Sequence, residues 1–326
     1  MKLKSPLAVL ASVLVVLSSA PRSGSCRPQD YDNALRMEYH LAGSRSAERQ
    51  FYLMETRVIE YAPDGERQNT DTYRLLLESA PAGDGKPESI EYTCGLFTFR
   101  GGSGEEVSIP ELKGWKYTYS GGIDREGQVF SIDHARFEKL ADSEGNRLPP
   151  DRSYLVYNTF IDFHSFCDVF AEPSDEGAGI QDLKRIGQRI VHSAAHSRPP
   201  VDLGGMISEG SYFQNGRITL EFKGISQVDG TPCALVGYDS GESSYKMFME
   251  PIPGMKVETS GSSHYMGDIY KDLETNWVRK VTMAEFVVSE TRVPMQQVNI
   301  RSVVEREIII RAVGEKEWNS IIEERK

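Results

Sequence analysis

A chain of 326 residues with 26% charged and 39% hydrophobic side chains has enough apolar surface for a real core, in one large or two ordinary domains. Its formal charge of −11 repels phosphate backbones, and no Lys/Arg cluster with interleaved aromatics appears, so nucleic acid is excluded as the expected partner. Four cysteines without a C-x-x-C pair exclude thioredoxin-like redox chemistry.

The N-terminus carries the clearest signal. Lys2 and Lys4 precede the uncharged apolar run PLAVLASVLVVLSS (6–19), and small residues follow up to Cys26. That layout predicts a secretory signal peptide over 1–25, because the run is too short for a comfortable membrane span. The mature chain is thus expected to be periplasmic or secreted, without a transmembrane span. Its charge would fall to −14, with 34 basic against 48 acidic residues. Lipid anchoring at Cys26 is disfavoured, since Ser23 occupies the position where a lipobox has a leucine-like residue. In an oxidising compartment the even number of cysteines (Cys26, Cys94, Cys167, Cys233) predicts one or two disulfides of open connectivity.

Period-two patterns dominate from there on. LRMEYHL (35–41) and RITLEFK (217–223) alternate strictly, Ile218, Leu220 and Phe222 sharing one face of the second. One wet and one buried face is the habit of antiparallel sheets. Asp64-Gly65, Glu126-Gly127, Asn215-Gly216 and Asp229-Gly230 supply turn signals between such runs. The expected fold is mainly β: curved or incompletely closed barrel-like antiparallel sheets with one packed helix and a short C-terminal helix. The packed helix is placed at GIQDLKRIGQRIVHSAAH (179–196), whose Ile180, Leu183, Ile186, Ile190, Val191 and Ala194 form one 3.6-period face. The terminal helix is GEKEWNSIIEER, with Trp318, Ile321 and Ile322 on one side. The organisation read from this is a signal peptide (1–25), an N-terminal β unit (26–172), a helical connector (173–210) and a C-terminal β unit with its helix (211–326).

Candidate chemistry is sparse. SHYMGDIYKDLETNWVRKVTM (263–283) holds a histidine, Asp268, Asp272, Glu274 and Trp277, and it alternates, turns at ETN and alternates again. It reads as a hairpin whose acids stay in water at the turn, where Asp accepts backbone hydrogen bonds, with Trp277 on the inner face beside the helix. YSGGIDREGQVFSIDHARF (119–137) echoes it, Asp124 and Glu126 matching Asp272 and Glu274. His164, Cys167, His192 and His196 could in number supply four zinc ligands. The helical reading puts His192 and His196 opposite the apolar stripe, as solvated residues of the last turn. GGSGEE (101–106) lacks the G-K-[ST] of a phosphate loop, and YDSGESS (238–244) lacks the G-x-S-x-G elbow. No cofactor is implied. MFMEPIPGM places Met247 and Met249 on one strand face, an adaptable apolar surface.

The export signal, the long alternating strands with tight turns, the D-x-E…W-V hairpin and a helix laid against them resemble periplasmic proteins of the lipoprotein-carrier type. That resemblance implies an incomplete antiparallel barrel around helices with a greasy cavity, and it carries no binding residue across. The expected function is an exported, non-catalytic binding protein for an apolar small molecule, lipid or lipoprotein, with Met247, Met249 and Trp277 on its ligand face. The alternative is a secreted hydrolase using carboxylates, or His164 with Asp162.

Overall fold

The computed structural model describes residues 33–82, 89–121, 128–175, 177–199, 209–252, 254–294 and 297–324. The signal region, Cys26 and the pair Asp124/Glu126 lie outside them. Residues 1–37 and 38–326 are separate compact units; of the first, the described part is a helical turn at 33–36.

The described strands of the second unit form one thirteen-stranded sheet. Its strands are β1 (Gln50–Tyr61), β2 (Arg67–Pro81), β3 (Ile90–Arg100), β4 (Glu106–Ser108), β5 (Lys116–Thr118), β6 (Arg189–Val191) and β7 (Tyr212–Gln214). They continue as β8 (Thr219–Val228), β9 (Thr231–Asp239), β10 (Ser243–Ile252), β11 (Met255–Asp272), β12 (Val278–Val293) and β13 (Val298–Val313). The order β4-β3-β2-β1-β13-β12-β11-β9-β8-β6 is open at both ends, so the sheet does not close into a barrel. Strands of both halves belong to it, since β1 pairs with β13 from Phe51↔Val313 to Tyr61↔Val303.

Alternation works as the period-two reading requires. Tyr52, Met54, Thr56 and Val58 of β1 turn to one face and are buried. Ile218, Leu220 and Phe222 do the same around β8. The Asp229-Gly230 turn joins β8 to β9 with both residues at positive φ, 50° and 82°, the primed geometry that matches strand twist. The expected hairpin at 263–283 is formed by β11 and β12, paired in register from Glu258↔Arg292 to Lys271↔Val278.

The packed helix lies elsewhere than expected. α1 spans Pro150–His164 and runs into one π-helical turn, Ser165–Val169. Proline starts it, where a missing N–H costs nothing, and Val156, Phe160 and Phe163 form its inward stripe. Phe160 stacks on Phe97 (5.9 Å) and Phe163 meets Tyr52 edge-on (5.2 Å), which seats α1 on the inner face of the sheet. The segment 179–196 is not helical beyond the 3-10 turn Ile180–Asp182. Gly187 takes a positive φ of 84°, and Arg189–Val191 becomes β6, pairing along the edge of β8. The free edge of β8 supplies backbone partners there, and the apolar positions still reach the core, Ile180 and Leu183 fully. Residues 35–41 are likewise no strand; 33–36 form the helical turn and 37–41 have no ladder partner.

The C-terminal helix α2 (Glu315–Glu323) sits on the outer face, where Trp318 packs with Leu76 and Leu96. Gly95 makes room, since a Cβ there would stand 2.3 Å from the Trp318 ring.

Candidate functional site

On four strands the inner face does not stop at α1. Counting outward along β12 and β13, the inward rows are Val281–Ile310, Met283–Ile308, Glu285–Arg306, Val287–Val304, Ser289–Ser302, Thr291–Ile300 and Val293–Val298. The first two rows are core. Asp162 of α1 still covers the Glu285–Arg306 row; beyond it Val287, Val304, Ser289 and Ser302 are only half-buried. β11 and β10 widen the same face with Tyr265, Ser263, Thr259 and Val257, then Tyr245, Met247 and Met249. Most of these side chains are half-buried, while Ile300 is 52% exposed. The result is a trough with α1 as its wall and β10–β13 as its floor.

The inner end of the trough is polar. Asp162 of α1 forms an ion pair with Arg306, and Arg306 Nη1 lies 3.0 Å from Glu285 Oε2. Ser263 Oγ donates to Glu285 Oε1 at 2.5 Å. Arg306 Nε is buried and has no hydrogen-bond partner among the described residues. Burial raises the Asp162 carboxyl to about 6, Arg306 pulling it back down and Glu285 pushing it further up. Tyr154, Tyr245 and Tyr265 stand around these acids, their phenols pushed up chiefly by burial.

A second ionic cluster lies under the π-helical turn and is closed to solvent. Asp168 accepts from Arg45 Nη1 (2.7 Å) and from the Tyr92 hydroxyl (3.0 Å), and its other oxygen meets His164 Nδ1 (2.6 Å). The Tyr117 hydroxyl lies 2.7 Å from His164 Nε2. Glu172 holds both Arg45 (3.1 Å) and Lys271 (2.9 Å), and Lys271 also donates to the Ala171 carbonyl. Arg45 lies over the Trp277 ring at 4.6 Å. Two acids meet two strong bases, and Asp168 is held below the usual carboxylate range: burial pushes it up, and Arg45 with His164 outweighs that. Buried and charge-balanced, this cluster fastens segment 38–49, the end of α1 and the β11–β12 turn together.

The predicted residues fall in different places. Met247 and Met249 line the trough. Trp277 does not; it is 2% exposed and donates to the Ser46 carbonyl at 3.0 Å. It sits fourteen residues along from Thr291, whose row holds Met247, roughly 45 Å away along the strand. Asp272 is the turn residue expected, accepting from the Glu274 and Thr275 amides, but it is buried at 4% exposure rather than in water. His192 is also buried, against Phe170, rather than solvated, because it follows edge strand β6 and its ring turns inward. His196 is exposed, with a positive φ of 60°. Cys94, Cys167 and Cys233 are buried free thiols on separate elements, so none of the three forms a disulfide with another. Among the described residues no three His, Cys, Asp or Glu side chains gather as a metal requires. His164 and Asp162 are two positions apart on α1 and face opposite ways, one into each cluster, so they form no hydrolytic pair.

A shallow, wide-open cleft of about 760 Å³ lies between Arg67–Asp71, the Gly101–Gly104 loop and Arg152, across β1 from the Glu285–Arg306 row. Its centre is Asp71, which accepts from Asn69, from the Gly102 amide (3.0 Å) and from Arg152 (3.2 Å), tying the loop to the start of α1.

The sequence reading missed Glu285 and Arg306. Alternation could have found them: each is a single charge at an inward position in an apolar stripe, Val281-Met283-Glu285-Val287 and Val304-Arg306-Ile308-Ile310.

No protein-family model and no curated protein matches this chain. Among solved structures it is similar to Pseudomonas putida OprB, at 7% identity and a TM-score of 0.20, over 82% of this chain and 94% of that one. It is similar also to a putative outer membrane lipoprotein-sorting protein domain from Vibrio parahaemolyticus, at 7% identity and a TM-score of 0.13, over 84% and 91%. The likeness is one of coarse architecture and carries no residue role across. Among the described residues no helix is long and apolar enough to cross a membrane.

Proposed function

We propose that the protein is an exported, non-catalytic binding protein that lays an apolar ligand, a lipid or lipoprotein acyl chain, along the trough. The observation that carries this reading is the inner face outside the Glu285–Arg306 row: there Val287, Val304, Met247 and Met249 are half-buried rather than core, with Ser289 and Ser302 between them. Sheet surface of this kind is stable in water only when its exposed apolar area is small or has a ligand. Methionines on the floor suit ligands of varied shape. The signal layout of 1–25 supports a periplasmic or secreted location, and intact mass of protein from its host should give an N-terminus near Cys26.

Neighbouring residues on opposite faces give the test. Titration with the fluorescent apolar probe N-phenyl-1-naphthylamine should be saturable. Val287→Asp, on the trough floor, should abolish it, whereas Val288→Asp, 52% exposed on the outer face, should not. Absence of saturable binding, or equal loss in both variants, would overturn the reading.

A further inference from the structure

The two ionic clusters on α1 differ in one respect that bears on the ligand. Around Asp168, two carboxylates meet Arg45 and Lys271. At the inner end of the trough, two carboxylates, Asp162 and Glu285, share the single guanidinium of Arg306. From that row outward, Arg306 is the only cation at an inward position of β10–β13 among the described residues; Lys246, Arg292 and Arg301 point to the other face. The trough is therefore short of one positive charge at a place where water is largely excluded, the Asp162 and Glu285 side chains being 16% and 10% exposed. Two carboxylates sharing one cation there leave one negative charge uncompensated, which is expensive.

The walls supply the rest of a recognition site. Tyr154 comes from α1, one helical stripe with Asn158 and Asp162, and Tyr245 and Tyr265 come from the floor. Tyrosine faces attract ammonium groups, and carboxylates accept their hydrogen bonds. Beyond this polar end the floor turns apolar through Val287, Val304, Met247 and Met249, so head and tail of one ligand would find matching surfaces in sequence.

We infer that the trough selects a single-chain amphiphile with a cationic ammonium head, seated between Asp162, Glu285 and the three tyrosines, its chain running outward over Val287 and Val304. The inference rests on the trough being the ligand face.

Competition against N-phenyl-1-naphthylamine at pH 7.5, below micelle concentrations, tests it with three probes of equal chain length: dodecylamine, dodecanol and laurate. Dodecylammonium should displace the naphthylamine at a concentration at least tenfold lower than laurate, with dodecanol between. The double variant Asp162→Asn/Glu285→Gln should still bind the naphthylamine and should lose the ammonium preference. Laurate matching or beating dodecylammonium in the parent would overturn the inference while leaving the trough as a binding face. So would a preference that survives in the double variant. Failure of every probe, naphthylamine included, would remove the trough reading and this inference together. If the double variant does not fold, the order of the probes on the parent still decides.

Discussion

Asp162 and Asp168 lie six residues apart on one helical run, yet their amide variants should move stability in opposite directions. Asp162 titrates at about 6 in place of an ordinary 3.8, because burial and Glu285 outweigh Arg306. A carboxyl that binds its proton more tightly when folded makes the native state less stable once it ionises. Its unfavourable contribution therefore grows as pH rises from about 4 to 6 and is constant above. That difference is worth about 3 kcal/mol at pH 7.5 and about 1 kcal/mol at pH 4.5. Asp162→Asn, which mimics the protonated form and leaves Arg306 paired with Glu285, should raise stability by up to about 3 kcal/mol at pH 7.5 and by much less at pH 4.5. Asp168 is the reverse case: Arg45 and His164 hold its carboxyl below the ordinary value, so it contributes stability above that value and loses it as pH falls through the lowered one. Asp168→Asn strips Arg45 and His164 of a buried partner and should cost about 3–5 kcal/mol at pH 7.5. Urea titrations followed by tryptophan fluorescence at the two pH values measure both. An Asp162→Asn protein less stable than its parent at pH 7.5, or a gain that does not shrink at pH 4.5, would refute the reasoning.

Two further outcomes follow from packing. Trp277→Ala empties a site under Arg45 and removes the bond to the Ser46 carbonyl, so it should cost about 3–5 kcal/mol in the same titrations. In a Cys26→Ser background, the three thiols Cys94, Cys167 and Cys233 should be silent to a thiol reagent in the native protein and all react in urea without reductant.

The strand system was legible because its signals are local. A period of two, Asp229-Gly230 at a primed turn and the hairpin around Asp272 each need only neighbouring residues to be read. What was misread depends on distant partners. The 3.6-period stripe of 179–196 is real, and its apolar residues do go inward, but the free edge of β8 and a positive φ at Gly187 favour a strand over a helix. The true helix hides among aromatics, Tyr154 to Phe166, because its stripe is only visible once the strands it packs on are known. Asp162 was named from the sequence, though with the wrong companion; its partners Glu285 and Arg306 lie more than a hundred residues downstream and are joined to it only by the pairing of β12 and β13. Asp272 was placed correctly at a turn and wrongly in water, since only the packing of the turn against the rest of the chain decides its exposure.

The seam between β1 and β13 has a consequence for how the sheet comes into being. Phe51 meets Val313 across it, a contact separated by nearly the whole unit, so the central pairing can form only after the last strand exists. A nascent chain holding β1 to β12 would have two open ladder edges, one on β1 and one on β12, at what will be the middle of the sheet rather than its rim. Edges of that kind recruit other chains, and closing so large a loop slows folding relative to local hairpins. Assembly should then be late and cooperative, the hairpins β1–β2 and β11–β12 forming early and waiting for β13 to join them. Among the described strands, the first to be synthesised is completed by the last.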